Sequence, residues 1–427
     1  MWKLTILAKL YLWKYKPMII GVTGNAGKTS TKEMIGAIVS RVKKVRVAGG
    51  NLNNEIGLPL TIIGSWDKEY YDRGSSLGFW LKVLVVSWWS LVISQNYPEV
   101  LVLEYGADHP GDIKRLATKY KPHISVVTTV GDMPVHIEYF KNADVMANEK
   151  ANLVSVLNPN DYAILNHDDQ RVLDMKSKTK ARVLTYGFDQ GSTIRASDFE
   201  YTSNEEGQPT GVTFKLNEFT PTEASGGVHF VPVRIEGSLG KSQAWSAAAA
   251  TAVGSVLGMN LVQVSEVLST RNGPKGRLKI LRGIKNSNII DDTYNASPAS
   301  TRLALETLRD VPALRKIAVL GDMLELGEYS EKAHSDIGAF ANGIVDILVC
   351  VGPCAKFMAS AFMKEVFTFD TSNDAKLKVQ ELIHEHDLVL VKGSQGMRME
   401  KIVEVIMADP ENKKNLLVRQ SYRWLSK

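Results

Sequence analysis

Apolar residues along the chain gather into short runs separated by longer amphipathic stretches. Runs at 18–22, 100–104, 124–128 and 162–166 read as strands. Stretches with helical periodicity lie between them, at 31–41, 112–120 and 142–157. Strand and helix in alternation predict parallel sheets with crossover helices. From 182 to 234 the texture changes: short alternating runs, among them 212–216 and 229–235, are separated by Gly, Ser and Asn, which predicts antiparallel β decoration. An alanine-rich helix follows at 245–257, with side chains small enough for close packing on a sheet. A second α/β unit starts near Arg271, with strands expected at 288–291, 316–320, 347–351 and 388–391. The turn Gly273-Pro274-Lys275-Gly276 is the linker candidate.

Two segments are more apolar than this scheme needs. Residues 77–94 (LGFWLKVLVVSWWSLVIS) approach the length of a membrane span, but Lys82 sits inside them. They predict a buried or amphipathic helix; the sharper alternative is peripheral membrane contact through Trp80, Trp88 and Trp89. Residues 1–17 carry Lys3, Lys9, Lys14 and Lys16 among Trp and Leu. The lysines interrupt the apolar run and no small-residue cleavage site follows, so the segment predicts a short amphipathic helix rather than a signal peptide. Such a helix suits a partner domain or a membrane face.

At 427 residues the chain is long enough for two or three domains. With 44% hydrophobic and 23% charged residues it is an ordinary globular chain rather than a disordered one. The net charge of +5, from 51 basic and 46 acidic residues, is too mild for a nucleic-acid footprint, and no zinc-finger or RNP-type motif occurs. It is compatible with anionic small molecules. The two cysteines, Cys350 and Cys354, make no disulfide framework. A reducing, cytoplasmic setting is expected.

The strongest local signal is Thr23-Gly24-Asn25-Ala26-Gly27-Lys28-Thr29-Ser30, where an apolar strand enters a glycine turn and then a helical stretch. Glycines let backbone amides curl around phosphate oxygens, and the helix start adds its positive dipole end. Lys28 would reach the β- and γ-phosphates, and the Thr29 hydroxyl would ligate Mg²⁺. Val22 stands where the strict phosphate-loop pattern has its first glycine. A kinase, an NTPase and a ligase all remain open on this loop alone.

Later strands end in polar groups. Glu104 closes the run at 100–104, at the sheet edge where α/β folds bind ligands, and a carboxylate there suits Mg²⁺. His136 follows the next strand as a candidate second ligand, although a histidine between apolar residues is more often structural. Lys150, in Asn148-Glu149-Lys150-Ala151-Asn152, has the position of a solvated helical lysine. In the second unit Asp291-Asp292-Thr293-Tyr294-Asn295, Gly321-Asp322 and Lys392-Gly393 end strands in the same way, with His334 downstream. Polar strand ends in both units predict a site between two domains facing each other, which brings two substrates together away from water.

Taken in order, the runs TGNAGKTSTKEM (23–34), NLNNEIGLPLT (51–61), EYGADHPGDI (104–113), HIEYF (136–140), NHDD (166–169), KGRL (275–278), DDTYNASP (291–298), LGDMLELGEYSEKAH (320–334) and VKGSQGMRMEKIVE (391–404) resemble the Mur ligase family. Within it they are most similar to the branch that adds D-alanyl-D-alanine to UDP-MurNAc-tripeptide. The resemblance implies a P-loop-type central parallel-sheet domain with antiparallel β decoration over residues 18–271, and a smaller Rossmann-like α/β domain over 272–427. It implies ATP and Mg²⁺ as cofactors, UDP-MurNAc-tripeptide and D-Ala-D-Ala as substrates, and an acyl-phosphate intermediate. By motif, Lys28 and the loop hold phosphates. Thr29, Glu104 and His136 ligate metal, and Lys150 sits where the family carbamylates a lysine to bind a second Mg²⁺. Arg277, Asp292 and Asn295 reach the nucleotide from the second domain, while Asn53, Asn54 and Glu55 fall on the substrate side or order a loop.

Some features depart from the family. Only some 17 residues precede the first strand, so the domain that grips the UDP-sugar is expected to be lacking. Gly240 to Ser246 reads GKSQAWS where the family usually carries His and Asn near adenine, and Ser297 replaces an asparagine before Pro298. Two rival readings remain: the same chemistry on another cell-wall peptide or a polyglutamate-type acceptor, and a non-catalytic nucleotide-binding scaffold at the membrane.

Overall fold

The computed structural model describes residues 2–74, 76–131, 140, 142–219 and 228–425. Their first sheet has nine strands: β1 (Met18–Thr23), β2 (Val45–Val47), β3 (Val100–Glu104), β4 (Ile124–Val127), β5 (Tyr162–Asn166), β6 (Arg182–Gly187), β7 (Ile194–Ser203), β8 (Pro209–Phe219) and β9 (Val228–Glu236). They lie in the order β2-β3-β1-β4-β5-β6-β7-β8-β9. Pairing is parallel as far as β7 and antiparallel across β7-β8-β9.

Residues are shared out between the two faces with strand periodicity. Ile20, Val22, Val100, Val102, Ile124 and Val126 enter one core, while Ile19, Leu101, Leu103 and Val127 enter another. Both faces are therefore covered by helices, which is why these strands read as unbroken apolar runs. The helix Lys28–Ser40 packs against the alanine-rich helix Lys241–Val256, where Ala244 and Ala247 to Ala250 are wholly buried. Thr31 and Ser246 hydroxyls meet across this contact at 3.2 Å. Bulk added at such a contact overpacks it, at about 1–3 kcal/mol.

The antiparallel decoration differs from its expected form. It starts at β7 rather than at residue 182, and it prolongs the main sheet. β6 pairs in parallel with β5, but its first four residues are exposed or half-buried, so its sequence lacks the apolar run of a central strand. β2, with only three half-buried residues, lacked that signal as well.

The second sheet comprises β10 (Lys279–Arg282), β11 (Asn288–Asp292), β12 (Lys316–Gly321), β13 (Ile347–Val351), β14 (Glu365–Phe369) and β15 (Leu388–Lys392). Its order is β10-β11-β15-β12-β13-β14, and only β10 runs antiparallel to its neighbour. One face joins the core of the first sheet, where Ile20 and Val102 share a continuous apolar cluster with Leu278, Ile290 and Leu320. The two sheets are thus tied through an apolar layer, with their polar strand ends around one cleft.

The N-terminal helix Trp2–Tyr15 buries Leu4, Leu7, Ala8 and Tyr11 and packs on the helix Gly57–Ile63. The apolar helix Leu77–Ile93 buries only Phe79, Val83 and Ser87. Among the described residues no helix is long and apolar enough to cross a membrane.

Candidate active site

β1 runs straight into the turn Gly24-Asn25-Ala26-Gly27 and the helix Lys28–Ser40. Gly27 stands at the N-cap with φ of 83°, a left-handed conformation that costs glycine little. Gly24 (φ 141°) packs so tightly that a Cβ would lie 2.0 Å from the Thr128 Oγ1. The end of β4 clamps the outer half of the turn. The amides of Asn25 and Ala26 donate to the Thr129 carbonyl at 2.7 and 3.3 Å, and the Thr128 hydroxyl donates to the Ala26 carbonyl at 2.6 Å. The first-turn amides from Lys28 to Ser30 have no acceptor within the helix, and these residues line the cleft at its positive end.

The half-buried Lys28 folds back over the turn, its Nζ donating to the Gly24 and Asn25 carbonyls at 2.8 and 3.3 Å. Burial holds its pKa below the ordinary lysine value; Glu104 opposes this, while Arg277 and Lys32 add to it.

Glu104 is 1% exposed at the end of β3. Lys32 donates to its Oε2 at 3.1 Å and Asn53 to its Oε1 at 3.2 Å. Burial pushes the carboxyl upward, but the Lys32 and Lys28 ammonium groups and the two hydrogen bonds outweigh it, so Glu104 titrates below the usual carboxylate range. Its contribution to stability is therefore present above the unfolded-chain value and lost as pH falls through the lower folded one. Lys32 is as buried as its partner. Replacing Lys32 by Met leaves a buried carboxylate uncompensated, and unfolding in urea should show a loss of about 3–5 kcal/mol, reduced when Glu104→Gln is added.

Lys150, on the helix Ala143–Ser155, is 3% exposed, contrary to the solvated face that its position in the sequence predicted. Burial first, and Lys28 second, lower its pKa to about 7 against the pull of Glu149, Glu104 and Asp108. Its neighbour Glu149 accepts from the Gly111 and Ile113 amides at 2.8 and 2.7 Å, which fixes this helix against the start of the preceding helix, Asp112–Lys119. An amine neutral near pH 7 is a nucleophile toward carbon dioxide, whereas an ordinary lysine is not.

From the second domain, Arg277 donates through Nη2 to the Thr29 hydroxyl at 3.4 Å, and its guanidinium lies 4.1 Å from the Tyr294 ring centre. Among the described residues neither the buried Arg277 Nε nor the buried Oε1 of Gln243, which also lines the cleft, has a hydrogen-bond partner. The Tyr294 hydroxyl donates to Asn51, a second bridge between the domains. Asp292 holds Lys392 at 2.5 Å and accepts from the Leu278 amide at 3.2 Å. Asn295 accepts from the Gln395 amide at 3.2 Å. Ser297 caps the helix Pro298–Asp310 by accepting from the Ser300 amide at 3.3 Å, so the substituted position still starts that helix.

Most of these groups border one cleft of about 370 Å³, whose lining does not include Lys32, Glu149 or Lys150. Asn25, Ala26, Gly27, Lys28, Thr29, Ser30 and Glu104 line it from one side, and Arg277, Asp292 and Asn295 from the other. Thr23 and Gly24 support the turn from behind, Thr23 being fully buried with its hydroxyl on the Tyr105 carbonyl at 2.8 Å. His136 lies outside the described residues. Asn54 orders its loop by accepting from the Ile56 and Gly57 amides, and Glu55 pairs with Arg115 at 2.6 Å. His334 is buried and accepts from the Met323 amide at 2.9 Å, a structural role.

Sequence reasoning passed over Lys32 and Gln243. The signal for Lys32 was its spacing: four residues after Lys28, it shares a helix face with the phosphate-loop lysine.

Among the described residues no group of three or more His, Cys, Asp or Glu gathers as a metal site. The oxygen donors present, Thr29 and an ionised Glu104, suit Mg²⁺ that takes most of its ligands from phosphate and water. The unpartnered Arg277 Nε likewise fits an anionic ligand.

Two family models match the chain: the Mur ligase middle domain over residues 22–70 and 90–250, and the Mur ligase, glutamate ligase domain over residues 276–395. The UDP-N-acetylmuramoyl-tripeptide--D-alanyl-D-alanine ligase of Bacillus subtilis is 30% identical over 411 residues, covering 95% of this chain and 79% of that one. The enzyme so named from Escherichia coli is 29% identical over 393 residues, covering 91% and 76%. Among solved structures, the MurF ligase of Thermotoga maritima in complex with ADP is 25% identical with a TM-score of 0.76, covering 96% of this chain and 84% of that one.

Proposed function

The chain belongs to the Mur ligase family, and from that premise we propose that it is an ATP-dependent ligase adding D-alanyl-D-alanine to UDP-MurNAc-tripeptide in peptidoglycan precursor synthesis. The observation that carries this reading is the interdomain cleft, where a phosphate loop faces Arg277 across 3.4 Å from Thr29. In the division proposed, residues 18–271 bind the phosphates, 272–427 close over them, and 1–17 stand outside the chemistry.

The γ-phosphoryl group of ATP passes to the terminal carboxylate of the tripeptide, giving an acyl phosphate and ADP. The amine of D-Ala-D-Ala attacks the acyl carbon, and the tetrahedral adduct loses phosphate and a proton to leave the amide. The protein's part is positioning and charge neutralisation. The first-turn amides and Lys28 hold the phosphates, and Arg277 supplies positive charge from the opposite wall. Asp292 and Asn295 frame the nucleotide side, with Asp292 kept in place by Lys392. Thr29, Glu104, His136 and a carbamylated Lys150 are the proposed magnesium ligands. Mg²⁺ bound there would offset the charge on the phosphate oxygens. Peripheral membrane contact, the alternative reading of the apolar segments, is a property separate from this chemistry.

The acyl phosphate has a direct test. Tripeptide carrying heavy oxygen in its terminal carboxylate should deliver one labelled oxygen to the released phosphate. Label retained wholly in the peptide would exclude this route.

A further inference from the structure

Two helices away from the cleft expose more apolar surface than burial in this chain accounts for. On the helix Leu77–Ile93 the outer face presents Leu81, Val85, Trp88, Trp89, Val92 and Ile93, with Trp88 55% and Trp89 68% exposed. On the N-terminal helix, Trp2, Ile6, Lys9 and Trp13 fall on the side opposite the buried Leu4, Leu7 and Tyr11, and Trp2 and Trp13 are about three-quarters exposed (75% and 76%). The helices are braced as one unit: the Tyr11 hydroxyl donates to the Ser87 carbonyl and the Tyr15 hydroxyl to the Ser94 carbonyl, both at 2.6 Å. Lys14 donates to the Leu91 carbonyl. An exposed apolar face of this extent marks an interaction site.

Charge selects the occupant. Neither helix contains an Asp or Glu, while Lys3, Lys9 and Lys14 lie on the first, Lys16 follows it, and Lys82 lies on the second, paired with Glu69 at 2.9 Å. Tryptophans beside lysines around an apolar face suit the boundary between lipid headgroups and acyl chains, where indole is half wet and lysine reaches phosphate. The apolar helix cannot cross the bilayer, so it would lie along it. Both helices also stand largely outside the family match, which begins at residue 22, stops at 70 and resumes at 90.

We propose that these two helices seat the protein on an anionic lipid bilayer, with Trp88 and Trp89 in the headgroup boundary and the exposed Lys3, Lys9 and Lys16 on lipid phosphates. The inference does not depend on which acceptor the ligase uses. The test is sedimentation of the full chain with vesicles of phosphatidylcholine alone and of equal parts phosphatidylcholine and phosphatidylglycerol. Binding should be about tenfold or more tighter to the anionic vesicles and should weaken with added salt. Trp88→Glu/Trp89→Glu should cut it by about tenfold or more while ADP affinity, a readout of folding and the distant cleft, stays unchanged. No sedimentation with anionic vesicles at low salt would overturn the proposal. So would a dimer in analytical ultracentrifugation that the double variant converts to monomer while vesicle binding is unaffected, since the face would then cover a second copy.

Discussion

Lys28→Ala should lower amide-forming turnover by on the order of 10²–10³-fold, the cost of removing one preorganised charge from a site where negative charge is transferred. Its ammonium bridges the Gly24 and Asn25 carbonyls, so in the free protein it already sits across the turn that the phosphates would enter. Burial lowers its pKa, and an arriving polyphosphate would restore the cation by the same electrostatics. The side chain is half-buried and, among the described residues, donates to turn carbonyls, so thermal unfolding should move little. Measuring kcat and the unfolding midpoint together separates the two effects. A loss of less than about tenfold in kcat would remove Lys28 from the phosphate-binding role.

Lys150→Ala and Lys150→Arg should both raise the magnesium needed for half-maximal turnover, by about 10–100-fold. The arginine variant keeps the cation and cannot form a carbamate, so a merely structural positive charge would be rescued by it and a carbamate would not. The pH dependence has a definite sign. A lysine lowered to about 7 is charged below that pH and neutral above it, and only the neutral amine adds carbon dioxide. The modification, seen as one added carbon dioxide by mass spectrometry of the intact protein, should therefore grow from pH 6 to pH 8 in bicarbonate. Full activity of Lys150→Ala in carbon dioxide-depleted buffer would refute the assignment.

The fold was legible where strands are buried on both faces. β1, β3, β4 and β5 announce themselves as apolar runs because helices cover both sides of the sheet. β6 was assigned to the wrong part of the sheet because its first four residues are exposed or half-buried, so it lacks the apolar run of a strand buried on both faces, although it pairs in parallel with β5. The cleft was legible in the residues at strand ends: the phosphate turn, Glu104 and Asp292 were singled out by position, Arg277 came from the family resemblance alone, and the fold brings them to one place. Lys32 and the burial of Lys150 were not legible. Burial of a helical lysine is decided by the elements packed against it: spacing puts Lys32 on the face of Lys28 but does not reveal its ion pair with Glu104, and nothing local marks Glu149 as the cap of the preceding helix.

The most direct measurement is phosphate release from ATP and Mg²⁺ by the purified protein offered UDP-MurNAc-tripeptide, with and without D-Ala-D-Ala, and the product weighed. The ligase reading predicts release that requires both substrates and a product heavier by the dipeptide less one water. Phosphate released without the dipeptide at the same rate, or turnover only with a different amine or peptide, would contradict it.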